Sequence, residues 1–136
     1  MTAVLDHIVL CCHDVEVMLD FYTKTLELEP HRVDAWRSGD VPFPCVRVHA
    51  ETLIDLLPKA MWAADDRPDA PSAGRAGVLH HFCLALAQDD WERIVSRLRD
   101  AGRPLVGPMT LSGARGEGTS VYTEDPEGNS VELRYY

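Results

Sequence analysis

Two rhythms run along this chain. The first has a period of two and is clearest at the end, where Val131, Leu133 and Tyr135 alternate with Glu132 and Arg134. That is the spacing of a half-buried strand. Upstream, Tyr122-Thr123-Glu124 enters Asp125-Pro126-Glu127-Gly128-Asn129, a turn sequence in which Pro fixes φ and Gly and Asn tolerate positive φ. The pattern predicts strand, turn and strand, with Glu132 in the middle of the last. Residues 5–12 show the same period, with Ile8 and Leu10 on one face and His7, Val9 and Cys11 on the other. Shorter strands are predicted over 31–36 and 44–50, around the turn Ser38-Gly39-Asp40. Others follow over 52–58, 78–86 and 103–106.

The second rhythm is helical. Val15, Met18, Leu19, Tyr22 and Leu26 recur at helical spacing behind Asp14, whose carboxylate suits an N-cap, and Glu29-Pro30 ends the run. A second helix carries Trp91, Ile94, Val95 and Leu98 after Asp89 or Asp90, with Gly102 at the C-terminal cap position. Phe21, Tyr22 and Trp91 read as packing residues. Residues 59–77 lose both rhythms and read as a linker or surface loop, and 112–118 reads as a glycine-rich loop.

The order is therefore β-α-β-β-β, linker, β-α-β-β-β, an internal duplication at half the chain length. We expect an α+β domain over 1–136, with module one at 4–58, the linker at 59–77 and module two at 78–136. The halves agree in chemistry too. His7 and His81 sit in the first strands, Asp55 and Glu132 in the last. His7 precedes Asp55 by 48 positions and His81 precedes Glu132 by 51.

Composition narrows the classes. With 136 residues, 46% hydrophobic and 26% charged, the chain can bury a core without disulfides. No apolar run approaches the roughly 20 residues of a membrane span, and the N-terminus lacks a secretory pattern. Cys11, Cys12, Cys45 and Cys83 include no Cys-x-x-Cys, so free thiols and a cytoplasmic location are expected. Cys11 and Cys83 read as small packing residues. The formal charge of −9 disfavours nucleic acid and anionic membranes as partners.

Two imidazoles and two carboxylates, each next to an apolar residue on a strand, suit a borderline divalent ion: Zn, Fe, Mn, Co or Ni. Such an ion would also compensate the cost of burying carboxylates. His80 is expected to point to the face opposite His81 and to be structural. Arg115, in the glycine-rich loop, is available to a substrate carboxylate or phosphate. The loop lacks the ending of a phosphate-binding loop. Trp36, Trp62 and Tyr122 are further candidates for substrate contact.

These pieces carry a resemblance. Leu5-Asp6-His7-Ile8-Val9-Leu10, Asp14 with Phe21-Tyr22, Ile54-Asp55-Leu56-Leu57, His80-His81-Phe82, and Asp125-Pro126-Glu127-Gly128-Asn129 before Val131-Glu132-Leu133 resemble the vicinal oxygen chelate superfamily. Its members include glyoxalases, bleomycin-resistance proteins and extradiol dioxygenases. The resemblance implies paired βαβββ modules whose sheets curl around a metal-binding cleft. It implies ligands at His7, Asp55, His81 and Glu132, with Glu132 and Asp55 as candidate proton-transfer groups, and a homodimer. It also implies a small substrate that chelates the ion through neighbouring oxygens, in glyoxalase-type lyase or epimerase-type isomerase chemistry.

Three alternatives stand beside that reading. A mononuclear iron dioxygenase would use His7, His81 and Glu132, and Asp55 counts against it by filling a position dioxygen or substrate needs. A fosfomycin-type thiol transferase would carry Thr where this chain has Val9. A non-catalytic binder of the bleomycin-resistance kind would suit a cationic, planar ligand stacked on Trp36 or Trp62.

Overall fold

The computed structural model describes residues 2, 3, 5–62 and 79–136. The chain divides between residues 76 and 77 into two compact units. Each unit builds one open four-stranded sheet, and the strand orders correspond: β1-β4-β3-β2 in the first and β5-β8-β7-β6 in the second.

In the first unit, β1 (His7–Cys12) lies parallel to β4 (Thr52–Pro58). β3 (Cys45–His49) and β2 (Glu29–His31) add antiparallel strands outward from β4. A parallel pair needs a crossover, which α1 (Val15–Asp20) supplies, with the Asp14 carboxylate accepting from Val17 N at 3.1 Å as the cap. The helix continues through a π-helical turn over Phe21–Thr25. There Leu26 N donates to Phe21 O, and the Thr23 hydroxyl bonds back to Leu19 O at 2.6 Å. Leu10, Cys12, Val46, Ile54 and Leu56 form the buried sheet side of the core. Val15, Met18, Leu19, Phe21 and Tyr22 form the helical side.

Two expectations change here. Residues 31–36 are not one strand: only Glu29–His31 pairs, and Val33–Arg37 forms α2. The switch falls at Arg32, whose left-handed backbone (φ 58°) ends extended pairing. The stretch 59–77 is not wholly irregular either, because Lys59–Trp62 forms the short α3. The remainder of that linker, and Val78 of the predicted strand, lie outside the described residues.

In the second unit, β5 (Phe82–Ala85) is parallel to β8 (Ser130–Tyr135). β7 (Gly116–Glu124) and β6 (Val106–Gly113) pair antiparallel beyond β8. The crossover is α4 (Gln88–Asp100), whose stripe Trp91, Ile94, Val95 and Leu98 is buried as its spacing predicts. Ala87, rather than Asp89 or Asp90, is its N-cap; those two acids occupy the first turn instead, where the helix dipole favours them. Trp91 Nε1 donates to Leu133 O at 2.8 Å, and the indole meets the Tyr135 ring edge-on at 4.9 Å. Residues 112–118 are the end of a β-hairpin rather than a loop, with Ser112 opposite Glu117 and Gly113 opposite Gly116. No described helix is long and apolar enough to cross a membrane.

Candidate functional site

The chemistry of the second unit lies on the sheet face turned away from α4. Strand alternation puts Val131 and Leu133 into the core and Glu132 and Arg134 on the other side. Register then places Cys83 beside Glu132 on β5, and Tyr122 and Ser120 beside Glu132 and Arg134 on β7. Despite that polar setting, Glu132 is 5% and Arg134 3% exposed.

His81 Nε2 stands 3.2 Å from Glu132 Oε2. The other carboxylate oxygen, Oε1, accepts from Ser120 Oγ at 2.6 Å. Arg134 closes the network: Nε donates to Ser120 Oγ at 3.1 Å, Nη2 lies 3.3 Å from Glu132 Oε1, and Nη2 also donates to Leu111 O at 2.9 Å. Burial by itself would push the Glu132 carboxyl up. The Ser120 hydrogen bond, the Arg134 and His81 charges and a Tyr122 hydrogen bond outweigh it, so Glu132 sits below its ordinary value. The same carboxylate works against ionisation of its neighbours. Cys83, exposed as a residue but with its sulfur partly desolvated against the sheet, is pushed up to about 11, first by that desolvation and then by Glu132, and the Tyr122 phenol is raised by desolvation and by Glu132 as well. A Cys83 thiol of that kind stays protonated near neutrality in the metal-free protein.

In the first unit, register sets Asp55 between Val9 on β1 and Cys45 on β3. Asp55 is buried, and its Oδ1 has no hydrogen-bond partner among the described residues. His7 opens onto the same sheet face, and its Nδ1 lies 2.6 Å from Asp6 Oδ1. The Asp6 hydrogen bond raises the His7 basicity against desolvation, and Asp55 adds to the rise. Cys11 and Cys83 are exposed on these faces rather than packed, while Cys12 and Cys45 are the buried thiols; all four are free.

The substrate candidates fare differently. Tyr122 meets the His81 ring edge-on at 5.2 Å. It also lines a hollow of about 340 Å3 with His80, Val106, Met109 and Glu124. Arg115 sits at the hairpin tip, its guanidinium 4.3 Å over the Tyr136 ring and its backbone N donating to Tyr136 Oη. Trp36 is half-buried on α2. Trp62 is committed to its own unit: Nε1 donates to Cys12 O at 3.2 Å and the ring stacks edge-on with His13 at 5.1 Å. His80 is corrected, since it does not turn away from His81 but meets it, Nδ1 to Nδ1, at 2.8 Å.

Ser120 and Arg134 are the residues the sequence reading did not single out. Both share the Glu132 face by alternation, which was the available signal, yet nothing in hydropathy marks a polar residue as buried.

Does this donor set fit a divalent ion? Nitrogen and oxygen donors about 2.1 Å from a metal, at octahedral to tetrahedral angles, stand about 3.0–3.4 Å apart, and His81 Nε2 and Glu132 Oε2 are 3.2 Å apart. A buried carboxylate oxygen with no donor, as at Asp55, is equally suited to a cation. Each unit thus offers one histidine and one carboxylate. Among the described residues neither unit gathers three such side chains.

The sequence profile of the glyoxalase/bleomycin resistance protein/dioxygenase superfamily matches residues 4–133. The chain belongs to this superfamily. It is 28% identical to the glyoxalase domain-containing protein RDO1 of Mycosarcoma maydis, over 97% of this chain and 68% of that one. It is also 28% identical to the virulence protein STM3117 of Salmonella typhimurium, over 97% of this chain and 83% of that one. The crystal structure of STM3117 superposes with a TM-score of 0.73 at 24% identity, covering 100% and 98% of the two chains. An integron cassette protein from the mobile metagenome of V. Cholerae superposes with a TM-score of 0.76 at 23% identity, covering 100% and 97%. Likeness at these identities establishes the fold, an α+β arrangement of two open mixed sheets. It does not carry a reaction.

Proposed function

We propose that the chain is a divalent-metal-dependent enzyme of this superfamily, with His7, Asp55, His81 and Glu132 as metal ligands. Its chemistry would be a glyoxalase-type lyase or epimerase-type isomerase reaction on a small substrate with neighbouring oxygens. The observation that carries this reading is the His81–Glu132 pair, a buried carboxylate held charged by its own network while one oxygen faces an imidazole nitrogen. A bound divalent ion supplies Lewis acidity, drawing charge from substrate oxygens and acidifying the adjacent C–H or O–H.

The chain's own residues divide the remaining work. Glu132 Oε1 is taken up by Ser120 and Arg134, which fixes the carboxylate and suits it to ligation. Asp55 Oδ1 is uncommitted among the described residues and is the better-placed proton acceptor. Tyr122 joins Glu132 to the hollow beside Val106 and Met109, so an apolar part of the substrate would rest there. Free thiols suit a reducing, cytoplasmic setting, and a homodimer is the assembly we expect.

A non-catalytic binder is the contrasting reading. The engagement of Trp62 with Cys12 and His13 leaves it fewer aromatic faces for a planar ligand. Elemental analysis beside thermal unfolding, with and without added Zn2+, Fe2+, Mn2+, Co2+ or Ni2+, separates the two. The enzyme reading expects about one ion per chain and a raised melting temperature, both lost in Glu132→Gln and His81→Ala. No uptake of any of these ions by the native chain would sink it.

A further inference from the structure

In both units, the side chain immediately before the candidate histidine reaches that histidine's Nδ1. Asp6 Oδ1 lies 2.6 Å from His7 Nδ1. His80 Nδ1 lies 2.8 Å from His81 Nδ1, with the two rings edge to face at 5.1 Å. A regular strand forbids this contact, because consecutive side chains point to opposite faces. It occurs here because each histidine stands at the leading end of its strand. His7 is the first residue of β1 and His81 directly precedes β5, so neither Asp6 nor His80 is held in the pleat.

Asp6 and His80 are exposed, so burial does not account for either contact. Their common feature is the atom they hold. An ionised carboxylate only accepts, so the proton of a neutral His7 belongs on Nδ1 and its Nε2 is left as a lone pair. His80 can donate or accept, so it can hold His81 Nδ1 whichever nitrogen of His81 carries the proton. Across the ring, His81 Nε2 is the atom that faces Glu132.

We propose that Asp6 and His80 are positioning residues: each holds the Nδ1 of the histidine after it, fixes the ring and directs Nε2 to a divalent ion. The proposal rests on the metal-dependent reading above. Partners of this kind typically contribute 10- to 100-fold to metal affinity.

The test compares Zn2+ affinity, by competition with a chromogenic chelator, in the native chain, Asp6→Ala, His80→Ala, Asp6→Asn and His80→Asn. It is read beside 15N NMR of the histidine rings in metal-free protein at a pH where they are neutral. The alanine variants should bind Zn2+ about 10- to 100-fold more weakly. The asparagine variants, which keep an accepting oxygen near the lost atom, should recover most of the loss. His7 should carry its proton on Nδ1 in the native chain and lose that preference in Asp6→Ala. A native chain that binds Zn2+ alongside alanine variants that bind it equally well would overturn the proposal. If the native chain takes up neither Zn2+ nor Fe2+, Mn2+, Co2+ or Ni2+, the functional reading fails separately. The ring signals then decide: unchanged His7 signals in Asp6→Ala and unchanged His81 signals in His80→Ala would overturn the positioning roles as well.

Discussion

The Arg134 guanidinium fills the space that any side chain at Gly113 would need. β6 and β8 are not neighbours in the sheet, yet the end of the long Arg134 side chain crosses β7 to bond Leu111 O and Tyr136 Oη. Gly118 is similarly crowded: a Cβ there would stand 2.7 Å from Tyr135 O. Gly113 and Gly118 are thus explained by close approach, and Gly116 by its positive φ of 101°. In Gly113→Ala the guanidinium, being the end of a flexible side chain, should yield while the backbone holds. Overpacking of this sort costs about 1–3 kcal/mol. The diagnostic consequence is that Arg134 is pushed away from Ser120 and Glu132, so the Glu132 carboxyl should titrate at higher pH by 13C NMR. A Glu132 titration matching the native one would show that the guanidinium has another place to go.

Ser120→Ala removes the hydroxyl donor from Glu132 Oε1 and the acceptor from Arg134 Nε together. Because the folded Glu132 value lies below its ordinary 4.5, its ionised form contributes stability above that pH. The contribution is lost as pH falls through the folded value. The variant raises the folded value, so the contribution shrinks and acid unfolding begins at higher pH. Urea unfolding of metal-free protein between about pH 7 and pH 3 should show the native and variant curves converging toward the acid end. A loss of stability equal at every pH would mean that Ser120 only fills space.

The Trp91 indole is a different kind of contact, a buried side-chain donor on the Leu133 carbonyl. Trp91→Phe keeps an aromatic ring against Tyr135 but removes this second donor from a carbonyl that stays in the ladder opposite Val121. Loss of one such hydrogen bond costs about 0.5–1.5 kcal/mol, to which the lost ring area adds. The measurement is the shift in urea midpoint at unchanged slope. If the shift is negligible, water has reached the carbonyl.

Particular residues show where the sequence was informative. Val131, Leu133, Glu132 and Arg134 divide between the faces as a period of two requires, and Trp91, Ile94, Val95 and Leu98 form the buried stripe their spacing announced. The matching strand orders of the two sheets follow from the β-α-β-β-β duplication. Alternation assigns a face, however, and says nothing of depth. Nothing in the pattern therefore marks Arg134 and Ser120 as buried, although long side chains and close strand neighbours bury both. The helix over Val33–Arg37 was missed because its beginning depends on the left-handed Arg32, a conformation that a glycine would have advertised and an arginine does not. His80 was misread because the pleat was extended back across a histidine pair that precedes the strand.

Asp55 should reveal a conflict between stability and ligation. Its carboxylate is buried, with Oδ1 unpartnered among the described residues, and an unsatisfied buried oxygen costs on the order of 1–3 kcal/mol. A protein selected only for stability would place an apolar residue there, since apolar groups of similar shape are often neutral or stabilising in such positions. Asp55→Leu should therefore raise the melting temperature of the metal-free protein by a few degrees while diminishing the further rise that added Zn2+ gives the native chain. The two effects have opposite signs in one variant, which a change in packing alone would not produce. A metal-free variant less stable than the native chain would mean that the Asp55 carboxylate is satisfied in solution. Its role would then be structural rather than that of a ligand or base.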